Sequence, residues 1–422
     1  MFAKIKNMYN EYPNAFKVLT LATFIDQLGS FLLYPFYALY MTERFGVGMI
    51  EVGYLFSILA MGNIFGVVIG GALADKYGRR AMVLIGLVVS GIGSILMGLA
   101  NNMNTFYLLS AFLGLIGNFG GPARRAMVAD LLPKEKRTEG FGILRVAYNL
   151  SAVIGPLLGG FIATQSYLFL FISDAVSSII TAVIVYIVIP ETKPQMQDNT
   201  SEESVMKTLI GYKEVVKDWK YMLFLAVSAI TLLVYMQMNS TLSVFLRDVH
   251  GFPTQGFSLL LSMNALMVVL FQFWITRKIS KYAPMKMMAF GTIFLMIGFG
   301  MYGFISEPYL FFIAMIIITV GEMIVFPLAQ SIAASFAPED KRGRYMGMFA
   351  FQWSIPNLFG VLVAGLIIEH IGPNWVWYLA GLLSLISLIG FLLVHKITKE
   401  RFSKEKKPRK EELLELTVTS IE

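Results

Sequence analysis

Apolar stretches of about twenty residues, separated by short polar turns, recur along almost the whole chain. A helix needs about 20 residues to cross the hydrocarbon core of a bilayer. The pattern predicts twelve such spans, at 15–41, 51–74, 81–100, 104–126, 139–165, 167–189, 220–246, 256–276, 286–306, 308–336, 343–369 and 374–395. Several stretches carry no charge at all: Val52 to Ala74, Ala81 to Ala100, Tyr221 to Leu246 and Tyr345 to Ile368. Lipid offers no partner to a free backbone amide, so such runs are predicted to be helical. Strands of a membrane barrel would alternate polar and apolar residues, whereas the apolar character here is continuous.

Composition agrees with that pattern. With 56% hydrophobic and 14% charged residues over 422 positions, too little polar surface remains to coat a soluble globule. The chain has no cysteine, which excludes structural disulfides and thiolate metal sites, and no metal or other cofactor is expected. Lys4, Lys6 and Lys17 lie at its start. The first apolar run is too long for a signal-peptide core and lacks a small-residue cleavage site, so it reads as span 1.

The charges alternate from loop to loop. One set of loops holds Lys76, Arg79 and Arg80; Arg124, Arg125, Lys134, Lys136 and Arg137; Arg277, Lys278, Lys281 and Lys286; and Lys341, Arg342 and Arg344. The opposite loops hold only Arg44 and Arg247. Lys and Arg accumulate on the cytoplasmic side, which places both termini in the cytoplasm. The net charge of +7 thus reflects topology and anionic lipid headgroups, not nucleic-acid binding.

An internal repeat divides the chain. Pro133, Lys136, Arg137 and Gly142 recur 205 residues later as Pro338, Lys341, Arg342 and Gly347. The same shift carries Pro122 onto Pro327 and Lys76-Tyr77 onto Lys281-Tyr282. Six spans plus six in one orientation predict two bundles around a central cavity, related by an axis along the membrane normal. The expected units are an N-terminal bundle (1–190), a cytoplasmic linker (191–219), a C-terminal bundle (220–396) and a tail (397–422). Within the linker, Val205, Leu209, Tyr212, Val216 and Trp219 recur at helical spacing with lysines between them, the pattern of a helix lying on the membrane surface. Its role is either a tether or a regulatory contact.

Between spans 2 and 3 runs Gly71-Ala-Leu-Ala-Asp75-Lys-Tyr-Gly78-Arg79-Arg80. Gly66, Gly70 and Gly71 allow close helix approach, and Asp75 places an anion where it could meet a helix N-terminus such as that of span 11. Arg79 or Arg80 could pair with Asp130. This segment resembles motif A of the major facilitator superfamily, and the chain is similar to that family over nearly its full length. The resemblance implies that Asp75, Gly78, Arg79 and Asp130 form a latch holding the outward-open state; a loop shaped only for folding and topology is the alternative. In span 5, Gly142, Gly155, Pro156, Gly159 and Gly160 resemble motif C of the family's drug/proton antiporters, with Ser151 where that pattern has glycine. The proline bends the helix and the glycines permit tight contact, expected with span 8, or else serve ordinary packing.

A carboxylate at the bilayer centre costs about 2.5–3.5 kcal/mol on insertion scales and so seeks water or a partner. Asp26, Glu322 and Asp174 are the candidates. The resemblance implies that helices 1, 4, 7 and 10 line the cavity, which favours Asp26 and Glu322 as proton-coupling groups that load and release a proton as their hydration changes. A static hydrogen bond is the alternative for Asp26, and Asp174 reads as structural. Around them, Gln27, Tyr34, Asn118, Tyr235, Gln237, Asn239 and Gln330, amid Phe31, Phe36, Phe119, Met236, Met238 and Phe326, suggest a cavity for amphipathic guests. One departure stands out: span 4 lacks the motif B arginine, since Phe106 to Gly121 contains no Lys or Arg. Arg124, Arg125 or Arg145 could substitute for it, or snorkel to the interface.

Nothing points to an enzyme: the three histidines are scattered and no ATPase-type phosphate loop is present. The expectation is an all-α, twelve-helix transporter of the plasma membrane, functional as a monomer, that exports lipophilic or cationic drug-like compounds on the proton gradient. Its partners would be a small-molecule substrate, protons and membrane lipids. A nutrient, metabolite or lysolipid symporter or uniporter, or a non-transporting sensor or scaffold, is the alternative.

Overall fold

The computed structural model describes residues 11–133, 136–192, 213–338 and 342–404. Twelve helices are long and apolar enough to cross a membrane. They are α1 (Asn14–Phe45), α2 (Met49–Gly71), α3 (Arg79–Gly98), α4 (Met103–Val128), α5 (Gly140–Ala163), α6 (Tyr167–Val188), α7 (Trp219–Asn239), α8 (Thr254–Ile279), α9 (Pro284–Met301), α10 (Pro308–Phe336), α11 (Tyr345–His370) and α12 (Asn374–Lys399). No strand occurs among the described residues. The end of the bundle carrying the basic loops is called inner below, and the opposite end outer.

The repeat is visible in the packing. In the first half α1 packs on α5 and α6, α2 on α4, and α3 on α4 and α6. In the second half α7 packs on α11 and α12, α8 on α10, and α9 on α10 and α12. Adding six to each helix number converts one set into the other. The two main contacts between the halves, α2 with α11 and α5 with α8, exchange under the same operation.

Several helices are not continuous, and the chain of α7 goes on past Asn239 as a further helix, Thr241–His250. Turns of 3-10 helix break α1 at Tyr34–Phe36, α4 at Gly117–Phe119 and α7 at Gln237–Asn239. Pro35 explains the first, because it lacks the N–H that would continue the ladder. The break in α7 has no proline and is held by a side chain. The Gln237 amide donates to the carbonyls of Leu233 and Gly360, each at 3.1 Å, and accepts from Thr241 Oγ1 at 2.6 Å. Pro156 and Pro327 sit inside α5 and α10 without ending them.

The two halves meet at the outer end. A Cβ on Gly53 would collide with the α11 backbone at Leu362, and one on Gly365 with the α2 backbone at Met49. Positions without a side chain let helices pack backbone to backbone. Ser57 donates to the Leu358 carbonyl in the same seam. Two carboxylates tighten it. Glu369 of α11 accepts from the Ile50 N–H at 3.1 Å, on the N-terminus of α2, and Glu43 pairs with Arg247 at 3.0 Å. The molecule is therefore closed at its outer end.

Of the expected linker helix, Val205, Leu209 and Tyr212 lie outside the described residues. Residues 213–217 are helical, with Val215 buried and Val216 and Trp219 more than half exposed.

Because the outer seam depends on a glycine, Gly365→Leu should force α2 and α11 apart. Spin labels on Asn101→Cys and Ser306→Cys, introduced without competing native cysteines, should then show a longer distance across the outer face than in the unsubstituted seam. An unchanged distance would mean that this contact does not hold the closure.

A candidate substrate cavity and its buried charges

Between the halves lies a cavity of about 890 Å³. Its walls come from α1 and α5 on one side and from α7, α8, α10 and α11, with Met288 of α9, on the other. Gln27, Phe31, Tyr34, Tyr235, Asn239 and Phe326 line it as the sequence predicts, together with Met236, Met238 and Gln330. Pro156 of the helix 5 motif also reaches the wall. Asn118 and Gln237 do not. Asn118 turns back to the Gly114 carbonyl at 2.8 Å, and the Gln237 amide is consumed by the break in α7. Phe36 and Phe119 are likewise off the wall. Helix α4 contributes nothing to it, contrary to expectation, whereas α5, α8 and α11 do.

Glu322 is the one carboxylate on the wall among the described residues. Asn264 of α8 donates its amide to Glu322 Oε2 at 2.7 Å and to Thr319 Oγ1 at 2.9 Å. The Tyr235 hydroxyl donates to the same carboxylate, and its ring packs edge-on against Phe326 at 4.7 Å between centroids. Glu322 is thus held between α7, α8 and α10 and still faces the space where a guest would sit. Asn264 was missed in the sequence. The signal available was a lone asparagine within the apolar run Leu259-Leu-Leu-Ser-Met-Asn264-Ala-Leu266.

Asp26 does not line the cavity. It is 8% exposed and pairs with Arg124 of α4 at 2.8 Å, with the Ser178 hydroxyl of α6 at 3.3 Å. Arg124 therefore turns inward to a carboxylate instead of snorkelling to the interface, and of the two coupling candidates only Glu322 can meet a substrate directly. Asp174, also buried, lies near Asp26 on the same α6 face. Arg145 of α5 lines the cavity and is exposed.

At the inner end, Arg79 forms the ion pair with Asp130. Its neighbour Arg80 instead reaches the Tyr186 carbonyl and lies over the Tyr186 ring at 5.1 Å. Glu191, not singled out in the sequence, accepts from the backbone N–H groups of Arg79 at 2.8 Å and Arg80 at 3.2 Å. It caps the start of α3, where an anion meets the positive end of the helix dipole. Gly78 makes that approach possible: its φ of 105° suits glycine, and a Cβ would strike the Glu191 carboxylate. Gly66 and Gly70 abut the backbone of α4, but Gly71 has only the Pro122 Cβ at 3.9 Å, so its lack of a side chain is not needed for packing. The Asp75 side chain and those of residues 342–344 lie outside the described ones.

The glycines of α5 divide between two neighbours. Gly160 packs against Ser258 of α8, across the interface as expected, whereas Gly155 and Gly159 pack against Phe31, Leu32 and Phe36 of α1. Ser151, where the motif has glycine, donates to the Phe24 carbonyl of α1 at 3.0 Å. Gly142 has open space around it.

Two six-helix halves enclosing a largely apolar cavity with a few polar groups, closed at one end and holding an intramembrane carboxylate on its wall, have the architecture of a membrane transport protein. Residues 19–357 and 256–420 match the family model of the Major Facilitator Superfamily, and the chain belongs to that family as an integral, multi-pass membrane protein. Among its relatives, a Na(+), Li(+), K(+)/H(+) antiporter of Planococcus maritimus is 24% identical over 93% of this chain and 98% of its own length. Multidrug resistance protein 2 of Bacillus subtilis is 24% identical over 94% and 98% respectively. A crystal structure of the nucleoside transporter NupG superposes with a TM-score of 0.76 at 16% identity, covering 91% of this chain and all of that one. That likeness is one of fold.

Removing one member of a buried ion pair strands the other charge at a cost of about 3–5 kcal/mol, whereas removing both is far milder. Arg124→Gln and Asp26→Asn should each lower thermal stability in detergent by more than the double substitution does. Additive losses would show that the two groups do not depend on each other.

Proposed function

We propose that this transporter exports amphipathic, cation-bearing compounds in exchange for protons, with Glu322 as the group for which substrate and proton compete. The observation that carries the reading is the position of Glu322 on the cavity wall, held by Asn264 and Tyr235. A carboxylate kept from bulk water is costly to leave ionised and unpaired, so it holds either a proton or a cationic guest. The aromatic and methionine surfaces around it adapt to guests of different shape. The names of the two sequence relatives, an ion/proton antiporter and a multidrug resistance protein, support exchange of this kind. Asp26, paired with Arg124, serves as a structural charge within the first half.

In this cycle the motif A segment is the inner latch. Asp75 engages the start of α11 when the outer end opens, and the Arg79–Asp130 pair and the Glu191 cap hold the loop in shape for it. Asp75→Asn should then lower transport into proteoliposomes severalfold while membrane insertion stays normal; full turnover in that variant would remove the latch assignment.

The coupling reading is tested by proton release from purified protein in detergent on addition of lipophilic cations. Release should be lost in Glu322→Gln and kept in Asp26→Asn. Release that persists in Glu322→Gln would place coupling elsewhere, and binding without release in every variant would mean uniport. Monovalent metal ion exchange at the same carboxylate is a second reading, favoured by the first of those relatives. Sodium chloride in place of the lipophilic cation should release protons only if that reading holds.

A further inference from the structure

The cavity wall carries two formal charges among its described residues, Glu322 of the second half and Arg145 of the first. Their surroundings differ sharply. Glu322 already has donors from Asn264 and Tyr235. Arg145 makes no hydrogen bond or ion pair with a described residue, whereas Arg79, Arg124 and Arg247 each reach a carboxylate. We infer that Arg145 is an anion subsite of the transport cavity, and that the protein's preferred guests are amphoteric aromatic compounds carrying a cationic group and a carboxylate, sulfonate or phosphate on one body. The inference rests on the proposed role of Glu322 as the cation site.

The argument is one of desolvation. A guanidinium stays charged at any accessible pH, so Arg145 cannot escape burial by losing a proton as a carboxylate can by gaining one. While the cavity is open at its inner end, water solvates it. Alternating access requires that end to close, which removes the water and leaves a fixed cation needing an anion. The wall's carboxylate lies elsewhere. With a rise of 1.5 Å per residue, Arg145 stands about 12 Å along its helix from Arg137, and Glu322 about 21 Å along its helix from Phe336. Counted from the inner ends of their helices, Glu322 thus lies about 9 Å of helix further in than Arg145.

A lipophilic monocation would satisfy Glu322 and leave Arg145 unpaired on closure. A guest with an anionic group toward the inner mouth satisfies both. The same wall offers hydroxyls from Tyr34 and Tyr148 and the rings of Phe326 and Trp353, whose centroids lie 5.9 Å apart. Packed on each other, these rings present an apolar surface on which a flat aromatic body can stack. The same subsite gives a physical meaning to the missing motif B arginine: the positive charge of this cavity sits on α5 and faces the guest.

Two dyes that share one xanthylium cation isolate the anion: rhodamine 19, a free carboxylic acid, and its ethyl ester rhodamine 6G. Binding is read by fluorescence anisotropy in a nonionic detergent. The unsubstituted protein should bind the acid more tightly than the ester. Arg145→Gln should weaken the acid by about tenfold, the scale of one charge-assisted contact, and leave the ester no weaker; Arg145→Lys should restore part of the preference. Retained ester binding also reports that the cavity is intact in the variant. Equal weakening of both dyes by Arg145→Gln, or of neither, would overturn the subsite. Glu322→Gln should weaken both dyes, since both carry the cation. If Glu322→Gln affects neither while Arg145→Gln remains selective for the acid, the coupling role of Glu322 fails and the anion subsite stands.

Discussion

A charge inside hydrocarbon has two destinations, a partner or water, and the polar anatomy of this protein follows from that constraint. Asp26 takes a partner, Arg124, brought by a helix that contributes nothing to the cavity wall. Glu322 and Arg145 face the cavity, where water and a guest can enter. Amides follow the same logic: Gln237 and Asn118, at helix breaks, are spent on backbone carbonyls, while Asn264 orients the wall carboxylate. Polar residues in a membrane helix therefore divide into those that repair the scaffold and those that address the guest.

The seam between the halves is one of small residues. Closure at the outer end relies on backbone-to-backbone contact at Gly53 and Gly365, with Glu369 on the N-terminus of α2 and Glu43 on Arg247. Each of these contacts joins one half to the other, and none crosses the cavity. The Glu369 contact uses a carboxylate near the C-terminal end of one helix against the N-terminus of another. Motif A implies the same device for Asp75 at the opposite end of the same helix pair. A seam of small residues and a few exposed charges can separate without dismantling either bundle's own core. The glycines of α5 fit this division, with Gly155 and Gly159 securing α1 within the half and Gly160 meeting α8 across it.

Much of this was legible in the chain. The twelve spans and the two-fold repeat followed from hydropathy and from the recurrence of Pro133-Lys136-Arg137 at Pro338-Lys341-Arg342, because lipid forces helices of nearly fixed length and a duplicated unit keeps its turn residues. The structure places Glu322, Gln27, Tyr34, Tyr235 and Asn239, each singled out as a polar group within an apolar span, on the cavity wall. Asp26 looked the same by that criterion and proved different. Its partner lies 98 positions away, and the periodicity of α1 does not reveal which face meets α4 and α6.

The sequence by itself determined the membrane class, the number of spans, the repeat and the family resemblance, each written in local composition or in residues close along the chain. Tertiary structure decided which intramembrane charges are paired and which are free to act. It also decided that α5, α8 and α11 line the cavity in place of α4, and that Glu191 caps the motif A helix. These depend on helix rotation and on contacts between distant segments. A helix shows its hydrophobicity along its own length, but its neighbour is chosen by packing.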